Sequence, residues 1–328
     1  MRSDGAASNV TLVLGAGGPV GHAFHAGVLR ALAEAAGWNA ASAELIVGTS
    51  AGAQTGALLR AGLSVRDLFA RVVGAPLSPD GAALTRALPF PLGRSTSEHA
   101  VRRWPASSAY LWSALRRPWH ARPGRLVAAL LPDARHDNQP LGDGFRRLFG
   151  ADWPARPLWI TSVDLDSGAR VVFGRHGAPA VDVGTAVRCS SSVPGLRRAV
   201  RVGAQRYVDG GIASAVHLDL LHASAPGLVV VVSPLSRFAP MRLLLRAELR
   251  ALAARGARVV AFEPCADVAR VMGWNPMNAR AAERVAEVAY RAALARLAAS
   301  PLGDWLGSVG ERAGDGVEQP RELGVGSA

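Results

Sequence analysis

With 328 residues, 49% of them hydrophobic, the chain is long enough to bury a large core, as one big α/β domain or two smaller ones. Its 37 basic and 25 acidic residues leave a net charge of +12, and every basic residue is arginine. That excess suits phosphates or anionic headgroups, but no helix-turn-helix, zinc-finger or aromatic ribonucleoprotein pattern accompanies it, so nucleic acid is not an expected partner.

Uninterrupted apolar runs stay below about eighteen residues, so no spanning helix is expected. Two cysteines, Cys189 and Cys265, are too few for a disulfide framework or a metal cluster and fit a reducing, cytoplasmic setting. The alanine- and arginine-rich, lysine-free composition points to a high-GC bacterial source. Met1 to Asn9 is short, polar and carries Asp4, and the apolar stretch after it breaks at Gly15; a flexible terminus is expected rather than a secretory signal.

Val10 to Leu14 is a short β-prone run that suits a buried parallel strand. It stops at Gly15-Ala16-Gly17-Gly18-Pro19-Val20-Gly21, and a helical stretch runs from His22 to about Ala36. Such a turn offers backbone N–H groups beside a helix N-terminus, for a dinucleotide phosphate or for an oxyanion. A dinucleotide fingerprint needs three glycines at spacings of two and three. Counting from Ala16 puts alanine first, counting from Gly15 puts Val20 last, and no acidic residue closes the next strand. The oxyanion reading is therefore preferred. His22 and His25, in the first turns of the helix, are candidate general bases, although packing or capping is the commoner role there.

Glu44 to Val47 leads into Gly48-Thr49-Ser50-Ala51-Gly52, and Ala53 to Arg60 leads out as a helix. Strand, G-x-S-x-G and helix is the setting that holds a serine hydroxyl out on a strained turn. Glycine is required on both sides because the incoming strand and the outgoing helix nearly touch. The outgoing helix also directs its first N–H groups toward the serine.

From about Gly74 to Trp153 the chain is rich in proline, arginine and tryptophan. Arg102-Arg103-Trp104 and Arg116-Arg117-Pro118-Trp119, with Tyr110 and Trp112 between them, suit a membrane interface. The competing reading is a partly ordered helical insertion whose tryptophans pack onto the main domain, where it can serve as a lid over Ser50.

Strand signals return with Leu158 to Val163, the turn Asp166-Ser167-Gly168 and Arg170 to Phe173, a hairpin. Val181 to Cys189 is helix-compatible and runs into Ser190-Ser191-Ser192, a runner-up nucleophile cluster that lacks the elbow spacing and reads rather as a loop near the site. A second hairpin, Ala199 to Val208, ends at Asp209-Gly210-Gly211. Reactive groups gather at the carboxyl ends of strands in a parallel sheet, so Asp209 can act as a base for Ser50 without an intervening histidine. His217 and His222, which follow it, are weaker candidates. Leu228 to Val232 is the most clearly buried strand. Met241 to Arg255 is helical, Ala257 to Phe262 a further strand, Ala279 to Ala299 a long helix, and the tail from Gly303 is expected to fray.

The glycine-rich turn, Gly48-Thr49-Ser50-Ala51-Gly52 and Asp209-Gly210-Gly211, in that order, resemble the patatin-like phospholipase family over roughly residues 10 to 265, Ser192-Val193-Pro194-Gly195 included. The resemblance implies a three-layer α/β/α fold with a mostly parallel central sheet and a helical or irregular insertion. It implies an acyl hydrolase domain over 10–300, with 75–153 as insertion or cap and 301–328 as a flexible tail. It also implies a Ser–Asp dyad, with Ser50 as nucleophile and Asp209 as general base. Gly17, Gly18 and Ala51 would donate to the oxyanion, and Gly15, Gly21, Gly48, Gly52, Gly210 and Gly211 would shape the turns. No cofactor or metal is implied. The partner would be a lipid ester, with peripheral membrane contact through the Trp/Arg-rich insertion. Two positions depart from the family pattern: Ala16 stands for its first oxyanion glycine, and Val20 for a frequent arginine or lysine. An aspartate at its ordinary pKa of about 4 is a poor base, so a buried site must raise it. The alternative is a catalytically silent lipid-binding scaffold of the same fold.

Overall fold

The computed structural model describes residues 10–86, 88, 101–103, 105–116, 123–131, 133–134, 136–223 and 227–299. The expected flexible ends, 1–9 and 301–328, lie outside these residues, as do Trp104, Arg117-Pro118-Trp119 and the side chains of Arg102 and Arg103.

The chain begins with two βα units, β1 (Val10–Leu14) with α1 (Gly18–Ala36) and β2 (Leu45–Gly48) with α2 (Ala51–Arg60). Helices α3 (Val65–Val73) and α4 (Pro79–Arg86) follow. The inserted stretch holds β3 (Val101–Arg103), α5 (Ser108–Arg116), α6 (Pro123–Leu130) and β4 (Asp133–Ala134), with β3 and β4 paired antiparallel. Then come α7 (Gln139–Phe149), β5 (Leu158–Asp164), β6 (Arg170–Phe173), α8 (Val183–Ser190), β7 (Val200–Val202) and β8 (Gln205–Asp209). The last elements are β9 (Leu228–Val232), α9 (Ala239–Ala253), β10 (Arg258–Phe262), α10 (Ala266–Met272) and α11 (Ala282–Ala298).

The main sheet runs β10-β9-β1-β2-β5-β8-β7, with β6 also on β5. The five strands from β10 to β5 are parallel; β6 and β8 pair antiparallel with β5, and β7 with β8. The fold is thus α/β with a mostly parallel central sheet. Strand alternation divides the core: Val10, Leu12 and Leu14 of β1 pack with α1, α2 and α11, while Val13 joins Val229, Val231 and the α9 leucines Leu245 and Leu252 on the other face. β9 feeds both faces and is buried throughout, which is why it reads as an unbroken valine run.

Helix α1 starts four residues before His22, because Gly18-Pro19 already forms its first turn and proline there forgoes an N–H that has no acceptor anyway. Between Val65 and Phe149 the Pro/Arg-rich composition obscures helices that exist. α3 carries its own start signal, Ser64 accepting the Asp67 N–H at 3.0 Å. α7 packs on α8 and buries Phe145 in the main core.

Candidate active site

β2 ends at Gly48 and α2 begins at Ala51, so Thr49 and Ser50 make the whole reversal. Ser50 pays with φ 55° and ψ −116°, a conformation that costs a non-glycine residue on the order of 1–3 kcal/mol. Its surroundings fix that geometry. The Thr49 N–H donates to Leu14 O at 3.1 Å and the Thr49 and Thr161 hydroxyls share a hydrogen bond of 2.8 Å. The Ser50 N–H donates to Ser190 Oγ at 2.8 Å, and Gln54 reaches Ser191 Oγ at 3.0 Å. A Cβ on Gly48 would lie 2.6 Å from Ala53 Cα, on the outgoing helix; one on Gly52 would overlap the Leu14 carbonyl, so α2 also rests directly on β1.

Asp209 is the last residue of β8 and pairs with Ser162 of β5. By sequence Asp209 is expected at the carboxyl end of a strand in a parallel sheet; its strand runs the other way. β8 is antiparallel: it starts beyond the carboxyl end of β5 and descends to the level where β2 stops. The Asp209 N–H donates to Ser192 O at 3.0 Å and Oδ1 accepts the Gly211 N–H at 2.8 Å, with the Ser50 hydroxyl near enough to act on the carboxylate. Asp209 is 4% exposed. Burial pushes its pKa up to about 6, against the downward pull of the Ser50 and Gly211 hydrogen bonds.

The glycine-rich turn is stitched beside this pair. Gly15 N–H donates to Val232 O and Ala16 N–H to Ala215 O, both at 2.9 Å. A Cβ on Gly211 would sit 3.2 Å from Ala16 Cβ, and one on Gly210 only 2.6 Å from Thr161 Oγ1. A Cβ on Gly17 would press on Gly21 Cα at 2.7 Å and on Pro234 at 2.9 Å; Gly18, at φ +58°, faces Pro276 and Met277 at close range. Gly18 and Ala51 open α1 and α2, where N–H groups have no intrahelical acceptor.

The family model described as Patatin-like phospholipase matches residues 12–222, a span that holds the glycine-rich turn, Ser50 and Asp209. The chain belongs to the patatin-like phospholipase family. Among solved structures this family member is similar to VipD from Legionella pneumophila, at 12% identity over 88% of this chain and 66% of that one, with a TM-score of 0.40. It is also similar to the type III effector protein ExoU, at 20% identity over 88% of this chain and 53% of that one, with a TM-score of 0.34. It therefore spans just under two thirds of VipD and about half of ExoU. No curated protein matches the chain.

The candidate histidines His22, His25 and His217 of this patatin-like chain are buried. His22 and His25 bring Nδ1 to Thr55 Oγ1 at 2.8 and 3.3 Å, and burial drives both pKa values down to about 3. His217 holds Gly210 O through Nε2 at 3.1 Å and meets Arg170 at Nδ1, and burial lowers it to about 3 as well. His222 lies in the turn 218–223, its carbonyl held by Arg255 at 3.2 Å. Among the described residues no histidine is hydrogen-bonded to Ser50, and no cluster of three His, Cys, Asp or Glu could hold a metal ion.

Val20, where the family often has a cation, is fully buried in the core, so a charge there would be desolvated without a partner. Sequence reasoning missed Thr161, and it put Ser190 near the site without its role as acceptor of the Ser50 N–H. Ser190 was visible only as one of three consecutive serines, and Thr161 as one polar residue inside a strand.

Proposed function

We propose that the chain hydrolyses ester bonds of phospholipids or lysophospholipids, with Ser50 as nucleophile and Asp209 as general base, within an acyl hydrolase domain spanning residues 10–300. The observation that carries this reading is a strained serine whose hydroxyl acts on a buried carboxylate with a pKa near 6. A base in that range can take the serine proton near neutrality, which an exposed aspartate cannot do efficiently.

The steps follow from the positions. Asp209 accepts the Ser50 proton while Oγ attacks the ester carbonyl carbon, and the carbonyl electron pair moves to oxygen. Amides of Gly17, Gly18 and Ala51 stabilise that oxyanion. Collapse breaks the carbon–oxygen bond to the alcohol, which leaves with the proton held by Asp209. Water, deprotonated by Asp209, then attacks the acyl-serine, and the fatty acid departs as Ser50 regains its proton.

The same reading makes residues 75–153 a cap and gives the protein peripheral contact with the membrane that holds its substrate. Among the described residues no helix is long and apolar enough to cross one.

The test is labelling by a fluorophosphonate probe, followed by a phospholipid and lysophospholipid panel with wild type and Ser50→Ala. Wild type should label and release fatty acid, and Ser50→Ala should do neither. An unlabelled wild-type protein would instead mark a silent lipid-binding scaffold.

A further inference from the structure

The large apolar side chains left exposed among the described residues are confined to two places. One is α5 and α6, where Leu115 is 75% and Val127 56% exposed. The other joins the start of α9 to the loop after α10, where Leu243 is 68%, Leu244 54% and Trp274 87% exposed. Side chains of this size rarely stay in water as a group unless something covers them.

Both places reach segments that form the Ser50–Asp209 site. On the side of the glycine-rich turn, Gly17 abuts Pro234, which begins the turn into α9, and Gly18 abuts Pro276 and Met277, just after Trp274. The rings of Phe238 and Trp274 lie 6.1 Å apart and bind these two segments together. On the Asp209 side, α6 packs on the turn Gly210–Ile212.

Charge identifies the covering surface. Residues 105–116, 123–131, 234–247 and 273–281 contain no aspartate or glutamate. Their arginines accompany the aromatic rings: Arg116 lies 4.8 Å over Trp112, and Arg237 lies 4.4 Å over Phe238. The acid of α9, Glu248, is turned inward, accepting from Ser214 Oγ at 2.6 Å and the Leu218 N–H at 2.7 Å, whereas Arg246 and Arg250 are exposed. The Glu263 carboxylate, from outside these segments, is paired with Arg242 at 3.8 Å. Aromatic and aliphatic groups interleaved with an excess of guanidinium groups match the headgroup zone of an anionic bilayer.

We propose that the outer face of α9 and the 273–278 loop, together with α6, dock this chain on an anionic lipid bilayer. The inference extends the membrane contact beyond the insertion, to residues near the other end of the chain. It rests on the lipid-ester reading only in choosing a bilayer over another anionic surface.

The experiment is vesicle co-sedimentation of the full chain carrying Ser50→Ala, so that binding is measured without turnover. Vesicles are phosphatidylcholine alone, or phosphatidylcholine with phosphatidylglycerol. Binding should require phosphatidylglycerol and weaken in about 0.5 M salt. Leu243→Ser/Leu244→Ser/Trp274→Ser should lower partitioning roughly tenfold or more, and Arg246→Gln/Arg250→Gln should selectively remove the phosphatidylglycerol dependence. Thermal melts establish that both variants fold, and the charge variant carries the test if the apolar one does not. Wild-type-like binding by folded variants overturns the proposal, as does a parent chain that ignores both vesicles. A change of oligomeric state in sedimentation velocity with vesicle binding intact also overturns it, because the face then belongs to a second copy. Vesicle binding together with failed fluorophosphonate labelling of wild type would remove the hydrolase reading and leave the docking surface standing.

Discussion

Gly48 and Asp209 stand two positions apart along one edge of β5, opposite Ile160 and Ser162. The other edge at those residues is taken by Phe173 and Val171 of β6, so β2 and β8 must share an edge and meet end to end. One strand ascends to the Ser50 turn, the other descends to Asp209, and Thr161 lies at the junction. The spacing of hydroxyl and carboxylate is therefore set by sheet register rather than by a long loop, the more rigid of the two solutions.

Thr161→Val should expose how much depends on that junction. The Thr49 hydroxyl would lose its 2.8 Å partner in a fully buried place, a loss of about 1–3 kcal/mol. We expect a lowered unfolding midpoint together with reduced kcat and a smaller change in KM, because the turn that aims Ser50 loosens. Thr161→Ser keeps the hydroxyl and should restore most of the rate. Equal kcat in wild type and Thr161→Val would mean that the register alone holds the turn.

The pH profile of ester hydrolysis tests Asp209 as base. With its pKa pushed up to about 6, the carboxylate is protonated and idle at pH 5 and ionised by pH 7. The rate constant kcat/KM should rise through a midpoint near pH 6 and then level. Asp209→Asn should lower it by about a thousandfold or more and abolish that midpoint. An active Asp209→Asn enzyme with the midpoint retained would assign the base to another residue.

The same ionisation predicts a gain in stability when the carboxylate is removed. A folded-state pKa near 6, above the reference 3.8, means that the folded protein holds the proton more tightly than the unfolded chain does. That contribution is complete below about pH 4 and is lost as pH rises through 6. Above it, the buried charge costs roughly 3 kcal/mol relative to the protonated form. Asp209→Asn should therefore be more stable than wild type at pH 8, with little or no gain at pH 4.5, in urea unfolding at both pH values.

Much of this site is legible in the sequence because its steric requirements are local. Gly48 and Gly52 flank the serine where any Cβ would meet Ala53 or Leu14, and β1 and β9 announce themselves by composition. The antiparallel course of β8 is not legible, since a hairpin does not encode which edge it joins. Ser190 and Thr161 gain their roles only from tertiary contacts with the Thr49-Ser50 turn. Likewise, nothing local distinguishes a histidine in a first helical turn that packs on Thr55 from one that serves a serine. The apolar face of α9 is not legible either: Leu243, Leu244 and Leu245 are consecutive, yet only Leu245 is buried.

Those histidines should make the fold acid-labile. His22, His25 and His217 have folded pKa values near 3, well below the reference 6.5, so the folded state binds fewer protons than the unfolded chain. Their contribution is complete above about pH 6.5 and is lost as pH falls toward 3. Around pH 5, unfolding takes up about three protons on them. It gives back about one from Asp209, and burial also raises the Glu248 pKa, which acts in the same direction. A net uptake of one to two protons corresponds to roughly 1.4–2.7 kcal/mol lost per pH unit, enough to unfold a marginally stable domain within a few units. Urea midpoints at pH 7, 6 and 5 should fall in step, and more steeply in Asp209→Asn, which lacks the opposing proton. A flat series would mean that the three imidazoles are protonated or otherwise partnered in the folded chain.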